Sequence, residues 1–242
     1  MLGIRFELPL IPGRFLRRLN RFAALVLVKG KPERVHVRNS GRLRELLTPG
    51  RPILLQSAIT PGRRTRFSLA IVRLPSGDVS ADVHLPNALV ERGLRQGVVP
   101  GFHGYRVVRR EPVIGRNRVD FLLARGRRQC LLEVKSATLV ADDVALFPDA
   151  PTARGRKHLE HLIAARARGL LAAVLFLVQR QDVAAFAPNE DADPEFAATL
   201  RRAFQAGVRV CALRCRVTAD GVWLDRRLPV RWPSQRSRLQ GK

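Results

Sequence analysis

Leu170 to Val178 is an unbroken apolar run of nine residues, Leu-Leu-Ala-Ala-Val-Leu-Phe-Leu-Val. It is too short to span a bilayer, and no other stretch is long and apolar enough to do so. A strand apolar on both faces must be covered on both faces, which is the position of a central strand in a sheet packed between helices. The neighbouring segments agree. Thr152 to Arg168 carries Leu159, Leu162, Ile163 and Ala167 on one helical stripe, and Gly169 ends it. Asp193-Pro194-Glu195 has the composition of a helix start, that helix stops at Gly207, and Val208 to Val217 reads as another strand. Upstream, Asn87 to Gln96 reads as a helix, followed by strands over 105–111, 117–124 and 129–135. This order predicts a mixed central sheet flanked by helices.

The first third of the chain has a different rhythm. Strands are expected over Phe22–Val28, Arg34–Arg38, Arg51–Gln56, Arg66–Leu74 and Asp78–Asp82, with breaks at Lys29-Gly-Lys-Pro32, Pro61-Gly62 and Pro75-Ser-Gly77. Gly41 to Leu47 is expected to form a short helix. Five short strands and one helix suggest a small closed barrel of the OB type. Residues 1–82 hold 16 basic and 5 acidic side chains, a net of +11, which suits a phosphate backbone. Phe15, Phe22 and Phe67 are the candidates for base stacking there and read as core.

The stretch Asn117 to Lys135 carries the chemistry. Two strands around a turn near Gly126 would bring Asp120 alongside Glu133 and Lys135, which share a face because strand side chains alternate. Val119, Phe121, Leu132 and Val134 can be buried while the three polar groups converge. Two adjacent carboxylates call for a cation, and oxygen ligands suit Mg2+ or Mn2+. The lysine is notable because the chain has five lysines against 39 arginines, so a compact point charge is set where a planar fork is the usual choice. Metal plus lysine is an apparatus for phosphodiester hydrolysis.

The whole chain carries +24 at a pI near 11.8, which points to a polyanionic partner. DNA is the expected one. RNA is the other polyanion available, but no RNA-binding motif supports it, and no basic amphipathic helix suggests a membrane surface. The start, MLGIRFELPLIPGRF, lacks the features of a secretory signal, so a cytoplasmic location is expected. Cys130, Cys211 and Cys215 lie in apolar runs and are expected as reduced core thiols.

Ordered along nearly the full length are Leu8-Pro-Leu, Asn39-Ser-Gly41, Leu85-Pro-Asn87, Arg118-Val-Asp120, Glu133-Val-Lys135, Thr138-Leu-Val140, Ala145-Leu-Phe-Pro-Asp-Ala150, Arg154-Gly155, Lys157-His-Leu159, Val178-Gln-Arg180 and Phe186-Ala-Pro188. With these, the chain resembles the SfsA (sugar fermentation stimulation protein) family. The resemblance implies an OB-like domain over 1–82 and a restriction-endonuclease-like α/β domain of the PD-(D/E)xK type over 83–225; the remainder, 226–242, is basic with no acid and is expected to stay loose unless bound. The resemblance also implies DNA binding, with Asp120 and Glu133 holding metal, Glu111 as a further acid, and Lys135 as the active-site lysine; no helix-turn-helix signature is visible in the sequence, so sequence-tolerant contacts are expected. The expected nucleic-acid contacts are Arg14, Arg17, Arg18, Arg38, Asn39, Arg42, Arg118, Arg154, Lys157 and His158. Asp142, Asp143 and Asp149 read either as a solvated loop before the next helix or as a lid or second-metal site. The sequence departs from the family pattern at Ser40, Ser136 and Arg156, which stand where Thr, Asn and Gln are usual. The function implied is a metal-dependent nuclease; the alternative is a catalytically silent DNA-binding regulator of sugar (maltose) metabolism genes.

Overall fold

The computed structural model describes residues 1–6, 9–57, 65–114 and 117–232. Leu8, the expected break at Pro61-Gly62 and the chain beyond Trp232 lie outside the described residues. After a short strand β1 (Gly3–Arg5) come β2 (Ile11–Asn20), β3 (Ala23–Val28), β4 (Lys31–Val37), β5 (Pro52–Ser57), β6 (Phe67–Leu74) and β7 (Gly77–Ser80). β4, β3, β2, β5 and β6 are hydrogen-bonded in that order. A parallel pairing of β4 with β6, His36 opposite Ser68 and Val37 opposite Leu69, closes them into a five-stranded barrel. Closure leaves no free edge, and β7 extends β6 as a hairpin. Lys29 and Gly30 form the β3–β4 turn with φ of 50° and 76°, the left-handed pair that a two-residue hairpin requires.

Three expectations for this region change. β2 is a strand that alternation did not reveal, because Arg14, Arg17 and Arg18 crowd it and only Phe15 is fully buried. Gly41–Leu47 is not a helix but one turn, in which the amides of Leu46 and Leu47 both donate to Leu43 O. Leu43 sits at φ 49°, which no helix tolerates, while Leu43, Leu46 and Leu47 plug the barrel core. Phe15 and Phe67 are core as expected, but Phe22 lies in the β2–β3 turn and is 53% exposed.

The second part contains α1 (Leu85–Arg95), β8 (Arg106–Arg110), β9 (Val113–Ile114), β10 (Asn117–Arg118), β11 (Phe121–Arg125), β12 (Arg128–Ala137), β13 (Leu139–Ala141), β14 (Val144–Phe147), α2 (Ala153–Ala167), β15 (Leu171–Val178), β16 (Ala185–Pro188), α3 (Pro194–Gln205), β17 (Arg209–Thr218) and β18 (Gly221–Leu228). Seven strands build the main sheet in the order β1-β18-β17-β15-β12-β11-β8. Its centre, β12-β15-β17, is parallel and its flanks are antiparallel. β15 is the apolar run. Ala173, Leu175 and Leu177 enter one core with α1, and Val174, Phe176 and Val178 enter the other with α2 and α3. Each of the larger side chains among these contributes about 1.5–3 kcal/mol. Thr152 and Asp193 cap α2 and α3, accepting from Gly155 N at 3.0 Å and Phe196 N at 2.9 Å.

Two boundaries differ from expectation. β1 belongs to the second sheet, not the barrel, because Gly3–Arg5 pair with Trp223–Gly221. The tail is not loose from residue 226: β18 runs to Leu228, Val230 bridges Phe186, and Trp232 packs on Phe204 with ring centroids 5.1 Å apart. Barrel and sheet share a core, since Leu54, Ala70 and Ile71 join the cluster of Leu89, Phe121 and Leu175. Gln179 fastens the seam, its amide nitrogen donating to Asp82 O at 3.1 Å and Ser136 Oγ at 2.9 Å. Among the described residues no helix is long and apolar enough to cross a membrane.

Candidate active site

β11 and β12 form a hairpin with Arg125 opposite Arg128 and Gly126 in the left-handed region at φ 58°. Phe121 pairs with Leu132, so Asp120, one residue earlier, stands opposite Glu133. Along β12, Cys130, Leu132 and Val134 enter the core shared with α1 and the barrel, whereas Leu131 and Ala137 enter the core under α2. Glu133 and Lys135 lie between those two and share the α2 side.

α2 crosses this side and brings in His158. Glu133 is only 2% exposed. Its Oε1 accepts from Lys135 Nζ at 2.5 Å and is in close contact with His158 Nδ1. Lys135 Nζ is also 3.3 Å from that Nδ1. Arg154, one turn earlier on α2, donates from Nε to His158 Nε2 at 3.3 Å, which leaves Nδ1 as the donor toward Glu133. Across the hairpin, Asp120 Oδ1 accepts from Asn87 Nδ2 at 2.8 Å and Oδ2 from the amide of Val134 at 2.7 Å.

The two carboxyls feel opposite forces. Burial, then the charge of Glu133, raise Asp120 above the ordinary carboxylate range despite its hydrogen bonds and Lys135. Burial pushes Glu133 up as well, but the His158 hydrogen bond and the Lys135 ammonium outweigh it and hold Glu133 below that range. The site thus contains one carboxyl satisfied by protein cations and one that is not.

The remaining expected site residues divide. Glu111 does not join the acids: it is exposed at φ 46° and pairs with Arg118 at 3.4 Å, and only its amide reaches the site, donating to Asp120 O at 2.8 Å. Its left-handed backbone turns the carboxylate outward. Arg18 is half-buried and spent on carbonyls, those of Asn39, Gly41 and Arg42 at 2.8, 2.9 and 3.1 Å among them. Arg38 is paired with Asp82 at 3.1 Å, and Asn39 is buried and accepts from Gly41 N at 2.8 Å. Arg14, Arg17, Arg42, Arg118, Arg154 and Lys157 are exposed. Asp142 and Asp143 are the left-handed turn of the β13–β14 hairpin rather than the approach to a helix, and Asp149 accepts from Arg42 N at 2.8 Å, so the three do not gather. Arg156 faces away, paired with Asp193 and Glu195. Asn87 was missed as a site residue; its place in the first turn after Leu85-Pro86 was the available signal. The three cysteines are buried free thiols, with burial pushing Cys130 up to about 11.

Among the described residues no three His, Cys, Asp or Glu side chains gather closely enough to hold a metal by themselves. Asp120 and Glu133 nevertheless fit a hard divalent ion of the kind that takes one or two carboxylates and keeps water or phosphate oxygens in its other positions.

A closed OB barrel fused to an α/β domain with a curled mixed sheet and, among the described residues, three helices defines a two-part α/β protein, and comparison with known proteins gives its relations. Residues 84–221 match the sugar fermentation stimulation protein RE domain, and residues 16–81 match the SfsA N-terminal OB domain. The chain belongs to the SfsA family. It is 42% identical over 222 residues to a sugar fermentation stimulation protein homolog of Caldanaerobacter subterraneus, covering 92% of this chain and 97% of the relative. The homolog of Methanothermobacter thermautotrophicus is 40% identical, with 97% and 99% covered. The solved structure of Pyrococcus furiosus SfsA in complex with Ca2+ is 31% identical with a TM-score of 0.88, covering 96% of this chain and 99% of that one.

Proposed function

We propose that this chain binds DNA without strong sequence preference and hydrolyses phosphodiester bonds at Asp120, Glu133 and Lys135, on a C-terminal domain of the PD-(D/E)xK nuclease type. The observation that carries the reading is the opposition of Asp120 and Glu133 beside Lys135, with Asp120 a half-buried carboxyl held by the Asn87 amide and the Val134 N–H rather than by a direct ion pair among the described residues. Mg2+ or Mn2+ would be held by these two carboxylates and, when bound, would polarise a phosphoryl oxygen and acidify a water. The Pyrococcus furiosus relative was solved with Ca2+, another oxygen-seeking ion, which supports a hard-cation site here.

The protein's own groups have distinct tasks. Asn87 and the Val134 amide fix the Asp120 carboxylate in one orientation. Lys135, a point charge in a largely buried setting, steadies negative charge building on the phosphoryl oxygens. Arg154, at the open end of the His158 contact, meets the incoming phosphate.

One observation favours a second reading, a silent DNA-binding regulator of sugar (maltose) metabolism genes: Glu133 Oε1 is already shared by Lys135 and His158, and among the described residues no third acid joins. Digestion of plasmid and oligonucleotide substrates with Mg2+ or Mn2+ separates the two. Cutting by the wild type that is lost in Asp120→Ala and Lys135→Ala, with DNA binding retained, supports the hydrolase. Failure of the wild type to cut any DNA or RNA form leaves the binder.

A further inference from the structure

We infer that the β8 edge of the main sheet is a phosphate track that carries a DNA strand to or from the candidate site, an inference that rests on the DNA reading above. β8 is the last strand of the sheet. Between it and the end of α1 runs a groove of about 680 Å3 whose lining includes Arg95, Arg106, Arg109 and Arg110, with Glu91 as the one acid among the described residues that line it. Arg106 and Arg109 are exposed.

The groove is organised rather than merely charged. Glu91 is only 8% exposed and places one oxygen on each wall, Oε1 2.8 Å from Arg95 Nη2 and Oε2 3.2 Å from Arg110 Nη1. Both arginine side chains remain mostly exposed, so their outer N–H groups face solvent in fixed positions. An edge strand is often charged simply to prevent pairing with another sheet, but that purpose needs no buried anchor. An anchored fork is the arrangement suited to phosphate oxygens.

The track leads to the site. Arg110 is opposite Phe121, next to Asp120. A bulge at Val108 places Arg109 opposite Leu122, whose side chain packs into the core under α2, so Arg109 is directed to the side of the sheet that holds Glu133 and Lys135. Arg106, opposite Ala124, shares that side with Arg109, whereas Arg110, opposite Phe121, stays on the α1 side with Glu91.

The test is fluorescence anisotropy with a labelled duplex and a labelled single strand across a salt series, in an Asp120→Asn background that prevents cutting. Arg106→Gln/Arg109→Gln should weaken duplex binding about tenfold or more and flatten the log–log salt slope by about 1.8, the share of two phosphates. Arg106→Lys/Arg109→Lys, which keeps both charges, should restore the slope. Arg226→Gln/Arg227→Gln, near the opposite edge on β18, should change affinity less than about threefold. Equal losses in the β8 and β18 pairs, or an unchanged β8 pair while the parent binds, would overturn the track and leave DNA binding standing. A parent chain that binds neither DNA form would overturn both.

Discussion

Asp120 and Glu133 stand opposite each other across a hairpin, and the fold drives their carboxyls apart, Asp120 upward and Glu133 downward. A carboxyl with a raised folded pKa favours the folded state below its unfolded pKa, near 3.8 for Asp120, and loses that contribution as pH rises through the folded value. A depressed carboxyl does the reverse: its contribution is present above the unfolded pKa, near 4.5 for Glu133, and fades as pH falls through the folded value. Asp120→Asn should therefore raise the melting temperature at neutral pH by about 2–4 °C, or about 1 kcal/mol in a chain of this size. The gain should vanish once pH drops below the unfolded value. Glu133→Gln should lower it at neutral pH, with the deficit shrinking on acidification. Thermal melts from acid to neutral pH check both, and flat, pH-independent shifts would contradict the opposed pair.

The same pair predicts a cation response. A ligand that binds only the folded state, at a hundred times its Kd, adds about 2.7 kcal/mol. Saturating Mg2+ or Mn2+ should raise the wild-type melting temperature by several degrees, and Asp120→Asn and Glu133→Gln should abolish the shift. A shift that survives both substitutions would locate the ion elsewhere.

Lys135 touches Glu133 Oε1 at 2.5 Å and its side chain is 15% exposed. Lys135→Ala should reduce DNA cutting by about a hundredfold or more, on the scale of losing one preorganised charge donor, while the cation-induced stabilisation persists. Lys135→Arg should not rescue cutting, because a planar fork does not fit the space of an ammonium lodged between Glu133 and His158. Single-turnover cleavage beside the thermal shift distinguishes a role in the chemical step from one in holding metal.

Local chemistry was legible in the sequence; long-range pairing was not. Alternation and Gly126 foretold that Asp120 would stand across from Glu133, the apolar run foretold β15, the stripe of Leu159, Leu162, Ile163 and Ala167 foretold α2, and Asp193 announced α3. Each signal lies within a few residues of its effect. Nothing near Gly3–Arg5 shows that these residues will pair with β18, and although the closed barrel was expected from its run of short strands, nothing marked β4 and β6 as the pair that closes it. Leu43 and Glu111 were misread because a positive φ in a non-glycine residue leaves no mark in composition. Charge alone also could not separate Arg18 and Arg38, consumed inside the protein, from Arg14 and Arg17, which face solvent. His158 was expected to face a phosphate, but its first partner is Glu133, supplied by a strand 25 residues away.

Arg17 and Arg18 are neighbours on β2 with the same charge, and they should fail in different ways. The Arg18 guanidinium bonds the carbonyls of Asn39, Gly41 and Arg42, tying β2 to the loop that leads into the Leu43 turn. Burial pulls its pKa below the ordinary value, opposed by the charge of Asp149. Arg18→Ala strands these carbonyls and should cost about 1.5–3 kcal/mol, the range for hydrogen bonds to a charged group. Arg17 is exposed, so Arg17→Ala should stay within about 0.5 kcal/mol of wild type. If Arg17 contacts a phosphate, its loss should instead reduce the salt slope of DNA binding by about 0.9. Urea unfolding and salt-dependent DNA titration of the two variants measure these effects separately. A stable Arg18→Ala protein that has lost DNA affinity would restore Arg18 to the binding surface, and would mean that the 39–42 loop is held by the Asp149 contact to Arg42 N and by Asn39 alone.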